Sequence, residues 1–143
     1  MLDTAIVQNK FVEINNTALQ LYAGNVALWN DVLDNVEYIS VEYTRASLDY
    51  QYAYMTCFVK HIVDLSVIIF HNDKAIGLWP VSLLCRDEEW AFATNEGEVL
   101  APLYISGVSE KIAKKYNEIC FRAIKYLYEY VKKSENISKK WGG

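Results

Sequence analysis

Residue types able to do chemistry are few in this 143-residue chain, and they are scattered. Cys57 stands four positions before His61, while Cys85, Cys120 and His71 lie apart from that pair. A thiol becomes a nucleophile when a base takes its proton and a third group orients the base. The Cys57/His61 pair falls at the end of a helical pattern with no orienting acid, so Cys57 reads as a small packing residue. Two histidines and no Cys-x-x-Cys spacing indicate neither a zinc site nor a disulfide framework. The acidic runs Asp87-Glu88-Glu89 and Glu96-Gly97-Glu98 sit in a turn and a loop, where charge is expected to be solvated rather than gathered on a metal. Lys111, Lys114 and Lys115 fall near the start of a helix that no glycine-rich loop precedes, so they read as a solvated basic face rather than a phosphate site. The glycine fingerprints of dinucleotide and nucleoside-triphosphate sites are missing, as is the Gly-x-Ser-x-Gly elbow of serine hydrolases.

Composition narrows the class further. The chain is 52% hydrophobic and 22% charged with 6 Gly and 2 Pro, values of an ordinary globular protein. Fourteen Lys and Arg against eighteen Asp and Glu leave a net charge of -4, so no global positive field draws the chain to nucleic acid. One domain is expected over residues 1–133, followed by a polar tail over 134–143. The apolar stretches Leu65–Phe70 and Ala75–Cys85 are shorter than the roughly 20 residues of a membrane span. Met1–Lys10 lacks the basic start and apolar block of a secretory leader, which points to the cytoplasm. Eleven Tyr, 5 Phe and 4 Trp make an aromatic-rich chain, with Tyr38, Tyr43, Tyr50, Tyr52 and Tyr54 close together, as suits a core margin or an interface.

The elements that must position these residues follow from periodicity and punctuation. Ile6–Ile14 is short and mixed, and predicts a first strand. Thr17 and Gln20 form a capping-box pattern, so a helix is expected from Thr17, with Leu19, Tyr22, Val26, Trp29 and Leu33 on one stripe. Gly24 divides it, and Asn25 caps the second piece. Arg45–Phe58 carries Leu48, Tyr52 and Met55 at helical steps. Asp64–Phe70 and Ala75–Cys85 flank His71-Asn72-Asp73-Lys74 as a hairpin, in which Pro80 predicts a bulge or break. Trp90–Thr94 adds a third short strand after the acidic turn. Ser109 then caps a long helix to about Lys133, with Tyr116, Ala123, Leu127 and Val131 on its apolar face. The fold class is therefore α+β, an antiparallel meander packed against a long C-terminal helix.

That order of strand, two helices, meander and long helix resembles the first half of the acyl-CoA N-acyltransferase (GNAT) fold. Within it, A-L-W-N-D-V-L-D-N-V from Ala27 to Val36 and V-E-Y-T-R-A-S-L-D-Y-Q-Y-A-Y from Val41 to Tyr54 look like the entry of FemAB-type members. The run D-L-S-V-I-I-F-H-N-D-K-A-I-G-L-W-P-V-S-L from Asp64 to Leu83, with its Gly-x-x-Pro at Gly77–Pro80, is similar to that family's meander. N-E-G-E-V-L-A-P-L-Y from Asn95 to Tyr104 resembles the segment before its long helix. The resemblance implies the N-terminal part of an enzyme that acylates an amine on a cell-envelope or glycan precursor, a small-molecule acceptor. Glu96 and Tyr104 are the substrate-contact candidates it implies, with no catalytic residue assigned. Ile105-Ser106-Gly107-Val108-Ser109 stands where the pyrophosphate-binding signature belongs, so no cofactor is expected in this chain and acyl-CoA falls to the full protein. The implied partner is a second GNAT-like half or a second copy. The rival reading is a non-catalytic interaction or dimerisation module.

Overall fold

The computed structural model describes residues 3–94 and 98–142, with 136–142 given by their backbone. Helix α1, Thr4–Val12, and a 3-10 turn, Glu13–Asn15, open the chain. Strand β1, Leu19–Leu21, helix α2, Val26–Asp34, and helix α3, Arg45–Thr56, follow. Six strands come next: β2 His61–Asp64, β3 Val67–His71, β4 Lys74–Trp79, β5 Ser82–Arg86, β6 Glu89–Ala93 and β7 Leu103–Tyr104. Helix α4, Glu110–Gly142, ends the order and runs on through the segment expected as a polar tail. The fold is α+β with a long C-terminal helix, as the patterning implies.

Two N-terminal expectations are corrected. Residues Ile6–Ile14 do not form a strand: Asp3 accepts the Ile6 N–H at 3.1 Å and starts α1. Val7 and Phe11, one helical turn apart, are wholly buried there, each worth about 1.5–3 kcal/mol, which overrides the poor helix propensity of the β-branched residues. No helix starts at Thr17 either. Leu19–Leu21 instead pairs antiparallel with Val67–Ile69, a ladder a local capping pattern cannot outweigh. The chain then turns through Ala23 and Gly24 at φ 46° and 76°, and Asn25 Oδ1 caps α2 by accepting the Leu28 N–H at 3.1 Å. The cap at Asn25 is thus as expected, whereas Gly24 stands in a strand-to-helix turn and not at a break within a helix.

The hairpin also forms where its punctuation places it. Asn72 and Asp73 both have positive φ, as do Asp87 and Glu88 in the next turn, the backbone twist that two-residue hairpin loops require. Residues 61–71 and 74–86 make one long antiparallel ribbon, bent where Leu65 and Ser66 face Pro80 and Val81. Pro80 ends β4, and Leu65 N–H donates to the Val81 carbonyl at 2.8 Å across the bend. Before the bend the order is β1-β3-β4-β7, and beyond it β2-β5-β6, so the expected meander is shared between two sheets.

Helices cover both faces. Val67, Ile69 and Ile76 share a core with Val7 and Phe11 of α1 and with Tyr116, Cys120, Ala123, Leu127 and Val131 of α4. On the other face Ile68 and Leu78 pack with Trp29, Val32 and Leu33 of α2 and Leu48 of α3. Burial on both sides explains why β3 shows an unbroken apolar run instead of alternation.

Gly77 marks the tightest contact between strands. A Cβ there would lie 2.8 Å from Tyr104 Cδ1 and 2.9 Å from the Leu103 carbonyl oxygen. Since that oxygen belongs to the β7 backbone paired with Gly77, the strand itself would have to move. Gly77→Ala is expected to destabilise the chain by about 1–3 kcal/mol. A urea midpoint unchanged from the parent would refute this packing.

Candidate functional site

A polar cleft lies where α3 crosses the bend between the two sheets. Its chemistry comes from Arg45 and Tyr52 on α3, Asp64 and Ser66 at one arm of the bend, and Ser82 and Thr94 near the other. Most of these groups are already committed. Asp64 accepts the Ser66 N–H at 2.9 Å, Ser66 Oγ accepts the Val81 N–H at 3.3 Å, and Thr94 Oγ1 donates to the Pro80 carbonyl while accepting the Leu100 N–H at 2.8 Å. The hydroxyls satisfy backbone that the bend leaves outside a regular ladder.

Arg45 is different. Thr44 caps α3 by accepting the Ser47 N–H at 3.3 Å, which puts Arg45 in the first helical position. A cation there meets the positive end of the helix dipole, an arrangement unfavourable by about 0.3–1 kcal/mol. The side chain is 10% exposed, and its guanidinium carbon lies 3.8 Å from the Tyr22 ring centre and 4.7 Å from that of Trp29. Nη2 donates to Asp49 Oδ1 at 2.6 Å, whereas Nε and Nη1 are buried with no hydrogen-bond partner. They are the only such buried side-chain atoms among the described residues. An orphaned buried donor costs about 1–3 kcal/mol, and more when charged. The rings return part of that cost through cation–π attraction.

The free space in the cleft is about 20 Å³, room for one water-sized polar group such as a carboxylate oxygen. Burial, and then the charge of Asp64, raises the Tyr52 phenol above its usual pKa, keeping it a neutral hydrogen-bonding group. The arrangement is suited to holding an anionic group; a guanidinium does not serve as a base.

The sequence-derived residues lie elsewhere. Tyr104, on β7, reaches Asn117 Oδ1 at 2.7 Å and the Ala113 carbonyl at 3.2 Å, fastening the sheet to α4. Burial first, then Cys120 and Tyr116, pushes its phenol pKa up, so it is unsuited to act as a base near neutrality. Glu96 lies outside the described residues. Cys57 is exposed just past α3 and His61 sits on β2, with no hydrogen bond between them among the described residues. Lys111, Lys114 and Lys115 are exposed, and Ser109 Oγ already accepts the Ile112 N–H at 3.2 Å. Among the described residues no group of three His, Cys, Asp or Glu is placed to hold a metal, and no helix is long and apolar enough to cross a membrane.

Sequence reasoning missed Arg45, Asp64 and the cleft role of Tyr52. The available signal was a cation directly after the N-cap Thr44, where helix electrostatics favour an acid. No family model, curated protein or solved structure matches the chain.

Proposed function

We propose that this chain is the acceptor-side part of a FemAB-like, GNAT-fold N-acyltransferase, and that Arg45 holds an anionic group of the amine it presents for acylation. The observation that carries the acceptor role is Arg45, which lines the cleft and whose buried Nε and Nη1 lack hydrogen-bond partners. An anionic oxygen would accept a charge-assisted hydrogen bond from either donor, which the guanidinium points in different directions. The order of helices and strands supports the family reading by analogy of fold. In such a reaction the acceptor nitrogen attacks a thioester carbonyl, the C–N bond forms, the C–S bond breaks, and the thiolate leaves, taking up as thiol the proton that a base removes from the nitrogen. Arg45 contributes orientation of the acceptor, worth rate through fixed geometry. The acyl-CoA site and the base belong to the rest of the full protein, working on a cell-envelope or glycan precursor in the cytoplasm.

The test uses the longest natural form of the protein, acetyl-CoA and a panel of amino sugars and amino acids. Arg45→Met is expected to raise the acceptor KM at least tenfold with the acetyl-CoA KM unchanged. Its stability should match or exceed the parent's, because an apolar side chain of similar length relieves a buried, half-partnered charge. Absence of any acyl transfer by the parent, or equal rises in both KM values, refutes the assignment. Tight acetyl-CoA binding by the present chain alone would overturn the division of labour.

The interaction-module reading has its own observation. Tyr50 and Phe58 are 66% and 64% exposed, and Tyr54 between them is 40% exposed, with Tyr54 and Phe58 ring centres 4.8 Å apart. This ladder, rather than half-buried Tyr52, is the face a partner would cover. Concentration-dependent sedimentation abolished by Tyr50→Ala with Phe58→Ala favours the module, and a strict monomer disfavours it.

A further inference from the structure

We propose that the free edge of β2 is a docking site for an extended acidic peptide segment, which joins the second sheet as an added strand. β2 pairs with β5 on one side and ends its sheet on the other. The phase of the ladder says which groups face outward. Leu65 N–H turns to Val81 across the bend, so Val63 and His61, two and four residues back, also face β5, and Ile62 and Asp64 face the free edge. Consistent with this, the Asp64 carbonyl accepts Gln8 Nε2 of α1 at 3.0 Å. Gln8 closes that end of the edge, while no other backbone group among the described residues meets the Ile62 N–H and C=O there. An edge with unpaired backbone groups and no proline is a template for another strand.

The space beside the edge fits such a segment. A groove of about 400 Å³ runs along β2, within the size range of ligand clefts. Tyr52 and Thr56 of α3 line one wall, and His61 and Trp90 line the other, their rings nearly parallel at 17° with centres 6.3 Å apart. Successive side chains of an added strand point to opposite sides and would enter the two walls in turn. Lys60, exposed and in no ion pair among the described residues, is the charged side chain in the lining and selects an acidic residue by charge complementarity. The docking site rests on the β2 edge and its own groove, shares only Tyr52 and Asp64 with the Arg45 cleft, and does not depend on the acyltransferase reading.

The experiment is selection of a displayed library of random octapeptides on the full chain, followed by anisotropy titration of the enriched peptides. Enriched sequences should alternate apolar residues with others, carry Asp or Glu, and lack proline at the centre. Binding should weaken at least tenfold in Lys60→Glu, an exposed change that leaves the core alone, and stay unchanged in Arg45→Met. Hydrogen exchange at the Ile62 amide should slow at least tenfold on binding. Failure to enrich any sequence overturns the proposal, as does binding indifferent to Lys60→Glu or to a central proline. Concentration-dependent protection of Ile62 without peptide would instead assign the edge to a second copy of the chain and also overturn it.

Discussion

Trp29→Ala is expected to lower the unfolding free energy by about 3–5 kcal/mol, a large part of the 5–15 kcal/mol that holds a typical domain. Trp29 is wholly buried between α2 and the sheet, packed with Ile68 and Leu78 on the strands and Leu48 on α3. Its Nε1 donates to the buried Tyr43 carbonyl at 3.0 Å, and the Tyr22 ring meets it edge-on at 5.3 Å. Truncation opens a cavity and strands that carbonyl at once. It also removes one of the two rings against the Arg45 guanidinium, so a charge tolerated beside aromatic faces becomes harder to bury. Trp29→Phe keeps a ring but loses the donor, and should cost less. Urea unfolding of both variants checks the order. A loss under 1 kcal/mol for Trp29→Ala would mean that α2 is not the cover of this face.

What the sequence made legible was the chemistry of turns and caps. Asn25, Pro80 and the Asn72-Asp73 turn act within a few residues of themselves, so their consequences can be read locally. Helix α4 was legible because a long apolar stripe leaves little ambiguity. The misread segments are short, and distant partners decide them: Val7 and Phe11 form a helix because a sheet and α4 wait to bury them, and Leu19–Leu21 is a strand because β3 accepts it. β2 was hidden for the same reason. Its residues follow a helix directly, and only the bend opposite Pro80 shows that the ribbon continues past Asp64. The cleft was illegible for a further reason, since Arg45, Asp64 and Thr94 come from three elements with no common spacing. Arg45 alone carried a warning, as a cation at the wrong end of a helix.

The bend links fold to candidate site. Proline removes a ladder donor at the crossing, and Ser66, Ser82 and Thr94 place small polar groups beside the irregular backbone. Where two sheets part and a helix covers the gap, polar side chains can be buried without breaking a ladder. Arg45 enters at that place, its charge faced by aromatic rings on one side and the polar bend on the other. Arg45→Met therefore separates function from stability more cleanly than any substitution in the apolar layers.

Alkaline solution is expected to destabilise the chain steeply between about pH 9 and 12. Cys120 lies on the inner face of α4 at 2% exposure, and burial pushes its thiol from the ordinary value near 9 up to about 12. The folded chain thus keeps a proton that the unfolded chain releases. Its contribution is whole below pH 9 and is lost progressively as pH rises toward the folded value, since stability falls with pH where the native state binds more protons. A shift of this size corresponds to stability of order 4 kcal/mol. Tyr104 acts in the same direction, with burial and the neighbouring Cys120 both holding its proton on. Cys120→Ala removes the first contribution and weakens the second, so its urea midpoint should start lower at pH 7 but decline less by pH 10.5. Alkylation supplies an independent check: iodoacetamide should modify exposed Cys57 in the native chain and reach Cys120 only on unfolding. Equal native labelling of the two thiols, or identical pH slopes for parent and variant, would remove Cys120 from this account.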